Sequence, residues 1–244
     1  MRRVAAPDTG TLLGIWAHPD DEAYLSAGLM AAARHAGHRV VAVTATCGEH
    51  GTDDPDRWPP PRLATLRRGE MARSLGALGV REHRWLGYPD GGCADVPETV
   101  AVAAIGDIID EVAPDTIVTF GPDGMTGHPD HRAVSTWTTT AWQQRRPAAR
   151  LWYATLLTSF HAQWGALNEA VGLFPDDTAP EIAATDAAAI VECTGWVARR
   201  KAAALRAHAS QVKPLLERVG GATFDRWWSV EAFADATDVL VGPT

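Results

Sequence analysis

The feature that most constrains the fold is an alternation of short apolar runs with segments of helical periodicity. Residues 12–17 form an apolar run without polar alternation, which is typical of a strand covered on both faces. Helical spacing follows up to Gly37, and a second, β-branched run occupies residues 40–46. Strands that alternate with helices predict a parallel sheet with right-handed crossovers. We therefore expect an α/β fold with a Rossmann-like, mainly parallel sheet flanked by helices.

The alternation continues along most of the chain. It predicts further helices at 63–78, from Pro97 to Val112, from near His131 and at 196–209, and further strands at 84–88, 116–120, 151–157 and 187–191. Residues 52–61 are polar and proline-rich, and they predict an irregular loop rather than a linker between domains. We expect one domain over residues 1–244.

The charge and the cysteines bear on partners and on location. The net charge is -8 and no run of Lys and Arg offers a local basic stripe, so binding to nucleic acid or to an anionic membrane is not expected. The three cysteines lack the paired spacings of a thiolate zinc site or a disulfide scaffold, which predicts reduced thiols in a cytoplasm. The apolar run at 12–17 is too short for a signal peptide. The sequence leaves open whether the chain forms a homo-oligomer.

Two short segments concentrate metal-binding and acid–base side chains. They are Ala-His-Pro-Asp-Asp-Glu at 17–22 and Gly-His-Pro-Asp-His at 127–131. Each follows a predicted strand and precedes a predicted helix, and open parallel sheets bind ligands at the carboxyl ends of their strands. Imidazole and carboxylate are suitable zinc ligands, and a catalytic zinc usually has three protein ligands with a fourth position for water. Two histidines and one carboxylate from these segments would meet that requirement.

Each segment by itself has a simpler interpretation. An Asp at the position of Asp20 or Asp21 is most commonly a helix N-cap, and His128 with His131 is compatible with a helix cap or an exposed pair. The combination favours a metal ion. Several carboxylates would meet at one edge of the sheet without a nearby cluster of Lys or Arg to neutralise them.

The order of the motifs resembles one known family, the LmbE-like or PIG-L zinc deacetylases, which includes deacetylases of the mycothiol and bacillithiol pathways. The resemblance rests on the two segments above, on Thr-x-Gly-Glu-x-Gly at 46–51, on Arg67-x-x-Glu70 in a predicted helix, and on a helix pattern at 201–211. It spans residues 12 to about 211 of the chain. The two histidine segments in this order are its most specific part.

The resemblance implies a ligand set and roles for individual residues. Zinc, or another divalent transition metal, would be bound by three residues, His18, Asp21 and His131. Asp20 would act as the general base, His128 would polarise the amide carbonyl, and Asp130 would orient His128.

Three further residues match positions that contact the sugar in the family, namely Glu49, Arg67 and Asp90. Each also has a structural interpretation. Glu49 would close a turn, Arg67 would be a surface charge on a helix, and Asp90 would cap a turn at Gly91 and Gly92. Thr126 departs from the family pattern, because some members carry a tyrosine there, near the scissile amide.

The implied reaction is hydrolysis of an amide. A metal-activated water would remove an acetyl or other acyl group from the nitrogen of an N-acetylglucosamine-type amino sugar or conjugate. The alternatives are an amidase for a larger thiol–sugar conjugate or secondary metabolite, and a non-catalytic, metal-containing sugar-binding protein. A nucleotide-binding oxidoreductase is disfavoured, because the first strand leads into His-Pro-Asp-Asp rather than Gly-x-Gly-x-x-Gly.

Overall fold

A mainly parallel sheet forms the centre of the computed structural model, which describes residues 7–145, 147–174 and 179–241. Within those residues the sheet has seven strands: β1 (Leu12–Trp16), β2 (Val40–Thr44), β3 (Glu82–Trp85), β4 (Thr116–Phe120), β5 (Arg150–Thr155), β6 (Ala189–Glu192) and β7 (Val230–Asp235). Their order across the sheet is β3-β2-β1-β4-β5-β7-β6. Strands β1 to β5 pair in parallel, and β7 pairs antiparallel with β5 and β6. The predicted α/β fold is confirmed.

Helices cover the sheet, and ten of them lie in the described residues. They are α1 (Asp21–Leu25), α2 (Ala27–His35), α3 (Pro60–Leu78), α4 (Glu98–Val112), α5 (Pro129–Arg145), α6 (Thr158–Val171), α7 (Gly195–Ala207), α8 (Ala209–Val219), α9 (Gly221–Trp227) and α10 (Ala236–Val241). Every residue of β1, β2 and β4 is buried, as expected for parallel strands with helices on both faces.

The structure differs from the sequence prediction at several boundaries. The helix predicted before Gly37 is two helices, because Ser26 leaves the helical conformation between α1 and α2, with φ of -146°. Strand β3 begins at Glu82, two residues earlier than predicted. The sequence pattern gives no prediction for α6, α8, α9, α10 or β7. Helices α9 and α10 are only seven and six residues long, α8 contains Pro214, which usually indicates a helix end, and β7 has a buried Glu231 within its apolar run.

The carboxyl ends of the parallel strands lie at one edge of the sheet, and the segments singled out in the sequence follow them there. Residues 17–22 follow β1, residues 45–51 follow β2, and residues 121–131 follow β4. Strand β1 lies between β2 and β4. The two histidine segments, which are more than a hundred residues apart in the chain, are therefore neighbours in the fold.

A buried ion pair connects the C-terminal strands to the helices after β1. Nζ of Lys201 on α7 lies 2.6 Å from Oε1 of Glu231 on β7, and both side chains are almost inaccessible to solvent. Glu231 also accepts hydrogen bonds from the N–H groups of Gly28 and Leu29. Lys201 donates to the carbonyl oxygen of Tyr24. The pair thus holds α1 and α2 against the antiparallel part of the sheet.

None of the helices in the described ranges combines the length and the apolar character needed to cross a lipid bilayer. The three cysteines, Cys47, Cys93 and Cys193, are buried and free. Burial raises the pKa of the Cys193 thiol to about 12. That thiol is therefore protonated near neutral pH.

Removal of the positive charge from the buried pair should destabilise the fold. Lys201→Met leaves the Glu231 carboxylate buried without its cation, and breaking a buried pair in this way costs about 3–5 kcal/mol. Lys213→Met is the matched control, because Lys213 is exposed and lies 3.8 Å from Glu217. Loss of an exposed pair costs at most about 1 kcal/mol. Urea unfolding measures both variants, and equal free energies of unfolding would contradict this role of the pair.

Candidate metal centre and active site

His18, which follows β1, has both ring nitrogens engaged. Its Nδ1 lies 3.1 Å from Nε2 of His131. Its Nε2 lies 3.1 Å from Oδ2 of Asp130 and 3.1 Å from Oδ1 of Asp90. The side chain is largely buried. Nδ1 of His18 thus meets a histidine, and Nε2 meets two carboxylates.

Asp21 and His131 complete a compact group on the Nδ1 side of His18. The Asp21 carboxylate lies 3.7 Å from Nδ1 of His18 and 3.5 Å from Nε2 of His131. Asp21 is fixed by the N–H of His18, which donates to its Oδ2 over 2.7 Å. Nδ1 of His131 lies 2.9 Å from the carbonyl oxygen of Gly124. A carbonyl oxygen only accepts, so Nδ1 carries the proton and Nε2 of His131 presents a lone pair to His18.

The Asp130 carboxylate lies on the opposite side of His18 and is completely buried. It accepts hydrogen bonds from the N–H groups of Gly91 and Cys93 over 2.8 and 3.0 Å. The resemblance implied that Asp130 orients His128. The carboxylate instead contacts His18, and only the backbone N–H of Asp130 reaches His128, where it donates to Nδ1 over 3.2 Å. The reason is that the N–H groups of Gly91 and Cys93 hold both carboxylate oxygens, and one of those oxygens also meets His18.

The charges in the group follow from burial and from these contacts. Burial lowers the pKa of His18, but the hydrogen bonds with Asp130 and Asp90 outweigh it and raise the pKa to about 10. Burial and the charge of His18 lower the pKa of His131 to about 3. Near neutral pH one proton, on Nδ1 of His18, therefore lies between the two facing nitrogens. A metal ion can take the place of a proton there, because ligand binding to metals releases protons.

Among the described residues, two sets contain three donor atoms that all lie within 4.8 Å of one another. One contains His18, His128 and His131, and the other contains His18, Asp90 and Asp130. The first set shares His18 and His131 with the group that includes Asp21. The second uses the side of His18 that faces the buried carboxylates.

Asp20 has a backbone conformation that residues with a side chain rarely adopt. Its φ is 118°, and conformations of this kind cost about 1–3 kcal/mol and cluster at functional sites. The N–H of Asp20 donates to Oε2 of Glu22 over 3.0 Å, and its carboxylate lies 3.4 Å from Nη2 of Arg67. Burial raises the pKa of Asp20 to about 6, against the opposing effect of Arg67.

His128 lies at the exposed side of the centre. Its Nδ1 accepts the N–H of Asp130, so the neutral ring carries its proton on Nε2. Burial and the charge of His18 lower the pKa of His128. The neutral form, with an N–H donor available, therefore prevails near neutral pH. Thr126, next to the same group, has its Oγ1 3.5 Å from Nδ1 of His131.

Arg67 is not a surface charge, as one interpretation of the sequence had it. The side chain is 3% exposed. Nη1 donates to the carbonyl oxygen of Gly48 over 2.8 Å, and Nη2 donates to that of Pro19 over 2.5 Å. Arg67 thus connects the loop after β2 to the loop after β1, and it contacts Asp20.

Glu49 and Asp90 bind each other's loops. Oε1 of Glu49 accepts the N–H of Asp90 over 3.0 Å, and Oδ2 of Asp90 accepts the N–H of His50 over 2.8 Å. Oε2 of Glu49 is buried and has no hydrogen-bond partner in the described part of the chain. Hydrogen bonds to His18 and His50 lower the pKa of Asp90 to about 2 despite its burial.

A buried cluster of Glu22, Ser74 and His208 holds the backbone N–H of Asp20. The sequence analysis assigned this cluster no role. Glu22, which is completely buried, has Oε1 3.0 Å from Nε2 of His208 and accepts a hydrogen bond from Oγ of Ser74 over 2.8 Å. Its other oxygen accepts the N–H of Asp20. Glu22 ends the first histidine segment and His208 lies in the helix pattern at 201–211, so both residues belong to motifs that the sequence analysis had identified. Their contact spans 186 residues, which no local pattern reveals.

Gly48→Ala tests whether the position of Arg67 depends on the missing side chain at residue 48. Gly48 has φ of 64°, and an added Cβ would overlap the Arg67 guanidinium. Gly37→Ala is the matched control, because Gly37 has φ of 90° but nothing lies within 4 Å of an added Cβ. We expect Gly37→Ala to cost about 1–2 kcal/mol of backbone strain. Gly48→Ala should cost about 1–3 kcal/mol more, through the displaced buried guanidinium. Urea unfolding compares them, and equal losses would show that Arg67 moves freely.

Comparison with known proteins connects this geometry to a family. The family model described as PIG-L: GlcNAc-PI de-N-acetylase matches residues 13–142, which is more than half of the chain. A 1D-myo-inositol 2-acetamido-2-deoxy-alpha-D-glucopyranoside deacetylase from Mycobacteroides abscessus is 33% identical over 234 residues, covering 84% of this chain and 82% of that protein.

Solved structures share the fold. N,N'-diacetylchitobiose deacetylase from Pyrococcus horikoshii has a TM-score of 0.64 at 22% identity, covering 99% of this chain and 89% of that chain. A 4-carboxy-2-hydroxymuconate hydratase from Pseudomonas putida has a TM-score of 0.60 at 15% identity, covering 93% and 96%. The fold by itself therefore does not fix the reaction, whereas the family match contains both histidine segments. From the family match and the curated relative, the chain belongs to the PIG-L family of de-N-acetylases, metal-dependent hydrolases that act on amides.

Proposed function

We propose that this chain is a zinc-dependent hydrolase that removes the acyl group from an N-acetylglucosamine-type amino sugar or conjugate. His18, Asp21 and His131 would hold the metal. The observation that carries the proposal is the grouping of these three side chains. Nδ1 of His18 lies 3.1 Å from Nε2 of His131. Oδ1 of Asp21 lies 3.5 Å from Nε2 of His131, and Oδ2 of Asp21 lies 3.7 Å from Nδ1 of His18. Ligands about 2.0–2.2 Å from a tetrahedral zinc lie roughly 3.3–3.5 Å from one another. Each facing pair of donor atoms is thus spaced about as in a zinc site, and imidazole and carboxylate are suitable zinc ligands.

The alternative set with Asp90 and Asp130 fits a supporting role better. Histidines that bind zinc usually donate their other ring N–H to a carboxylate, which fixes the tautomer and the ring orientation. Asp130 is suited to this role, because its carboxylate is buried and already accepts two backbone N–H groups. We therefore assign Nδ1 of His18 to the metal and Nε2 to Asp130 and Asp90.

The residues around the centre divide the chemistry among them. Zinc supplies a Lewis acid for the scissile carbonyl and lowers the pKa of water. Asp20 accepts a proton from the attacking water and later delivers it to the leaving nitrogen. His128, which is neutral with its proton on Nε2, donates a hydrogen bond to the carbonyl oxygen as that oxygen gains negative charge. The C–N bond breaks and a C–O bond forms, so the products are a carboxylate and a free amine.

The three residues matched to sugar contacts receive different roles in this proposal. Glu49 remains a candidate to accept a hydrogen bond from a substrate hydroxyl, since its Oε2 is buried without a partner in the described residues. A buried acceptor of this kind costs free energy unless it is paired. Arg67 and Asp90 act on the protein itself. Arg67 holds Asp20 and two loops, and Asp90 holds His18.

The substrate class is supported by the relatives. The relative from M. abscessus is a deacetylase of an inositol 2-acetamido-2-deoxyglucopyranoside, and the structure from P. horikoshii is an N,N'-diacetylchitobiose deacetylase. Both substrates carry an amide on an amino sugar. The retained Asp20 and full ligand set favour a catalyst over a non-catalytic sugar-binding protein.

Variants of the two adjacent aspartates should differ in whether they retain zinc. Asp20→Asn keeps the shape of the side chain but removes the base, so it should retain zinc and lose about two to four powers of ten in kcat. Asp21→Ala removes one of three ligands, so zinc affinity should fall along with activity, and excess zinc should restore part of it. Zinc titration and amine release from N-acetylated amino sugars measure both effects.

Asp238→Asn is the matched control for these variants, because Asp238 is exposed on α10, far along the chain from the centre. It should leave zinc affinity and rate unchanged. If Asp20→Asn loses zinc while Asp21→Ala keeps it, the two roles are reversed. If zinc-loaded wild-type protein releases no amine from any amide offered, the chain is a binding protein rather than a hydrolase.

A further inference from the structure

A pocket of about 200 Å³ opens beside the proposed metal centre. Asp20, Asp21, Thr126 and His131 line one end of it. The rest of the wall is largely apolar, with side chains that include Tyr24, Leu25, Leu173, Phe174, Leu215 and Trp228. We call this space the acyl pocket. It begins at the groups assigned to the amide and continues away from them between apolar side chains.

The polar part of an amino-sugar substrate does not suit such a wall. A hydroxyl placed among apolar side chains loses its hydrogen bonds to water without replacement, which costs free energy. A second, larger cleft of about 950 Å³ offers the partners that hydroxyls need, including His50, Asp53 and Gln211. The two cavities share Leu215 on α8 as a boundary. The larger cleft therefore suits polar groups, and the acyl pocket suits an apolar chain.

The acyl pocket is much larger than an acetyl group requires. An apolar cavity of about 150 Å³ is enough to hold benzene, which has six carbons. A volume of about 200 Å³ therefore has room for a chain of roughly six carbons, where an acetyl group would place a single methyl.

The far wall of the pocket comes from a different part of the chain than its reactive end. Asp20, Asp21 and His131 lie within the family match at 13–142. Leu173 and Phe174 follow α6, Leu215 lies on α8, and Trp228 follows α9, all outside that match. Trp228 packs edge-on against Tyr24, with ring centroids 4.7 Å apart. The reactive end of the pocket thus lies within the family match, and its far wall comes from C-terminal elements outside that match.

From the size, the apolar wall and the position of this pocket, we propose that the chain hydrolyses N-acyl amino sugars with an acyl chain of about six carbons in preference to N-acetyl substrates. The inference rests on the proposed function. Hydrolysis uses one water, breaks the amide C–N bond and releases the medium-chain carboxylate and the free amine. The apolar chain is buried in the pocket in every step, so each added methylene raises kcat/KM by about 3- to 4-fold until the pocket is full.

The test is a series of N-acyl glucosamines with acetyl, butyryl, hexanoyl, octanoyl and decanoyl groups, assayed with zinc-loaded protein by amine release. We expect kcat/KM to rise about 100-fold from acetyl to hexanoyl and to stop rising beyond hexanoyl. Leu173→Trp, which fills the pocket, should lower the ratio of hexanoyl to acetyl kcat/KM at least about 10-fold. Leu240→Trp, on the exposed face of α10, is the matched control and should leave the ratio unchanged.

Calorimetric binding of hexanoate and acetate to the same proteins separates this inference from the reaction. If amides are cleaved with acetyl preferred, or if Leu173→Trp leaves the ratio unchanged, the pocket assignment is wrong and the hydrolase stands. If no amide is cleaved but hexanoate binds more tightly than acetate and Leu173→Trp abolishes the difference, the pocket stands and the reaction is wrong. If hexanoate does not bind and is not released from the hexanoyl amide, the pocket assignment and the proposed reaction are both wrong.

Discussion

The arrangement of the site depends on how the His18 ring is held. A completely buried carboxylate, Asp130, lies at Nε2, and the turn at Gly91 fixes that carboxylate by its N–H groups. Nδ1 is thereby directed at His131 and Asp21. A ring fixed in this way needs little reorganisation to bind a cation, because its orientation is already set by hydrogen bonds outside the ligand set. Four loops at one edge of the sheet contribute to this single constraint.

Much of the fold follows from the sequence, because parallel strands buried on both faces leave continuous apolar runs. The positions of β1, β2 and β4, and the meeting of the two histidine segments at their carboxyl ends, need only that pattern and the rule for ligand sites in such sheets. The antiparallel pairing of β7 is different. It has a buried Glu231 whose presence is explained only by Lys201 and two backbone N–H groups, contacts that no local pattern contains.

Contacts between distant residues also decide the arrangement of the site, and local sequence patterns do not contain them. The residue types at 17–22 and 127–131 indicate a metal centre, but the sequence cannot assign the Asp130 carboxylate, since its partner depends on a turn nearly forty residues away. Arg67 reads as a surface charge because its neighbours in the helix are polar, yet the space left by Gly48 lets it lie buried between two loops. A hydratase shares this fold, so the reaction follows from these side chains and not from the sheet.

Anomalous X-ray scattering from crystals of the zinc-loaded protein tests the central claim most directly, because it locates the metal independently of activity. The account predicts one strong zinc peak within about 2.0–2.2 Å of Nδ1 of His18, Nε2 of His131 and an oxygen of Asp21. A peak on the other side of the ring, between Nε2 of His18 and the carboxylates of Asp90 and Asp130, would contradict it.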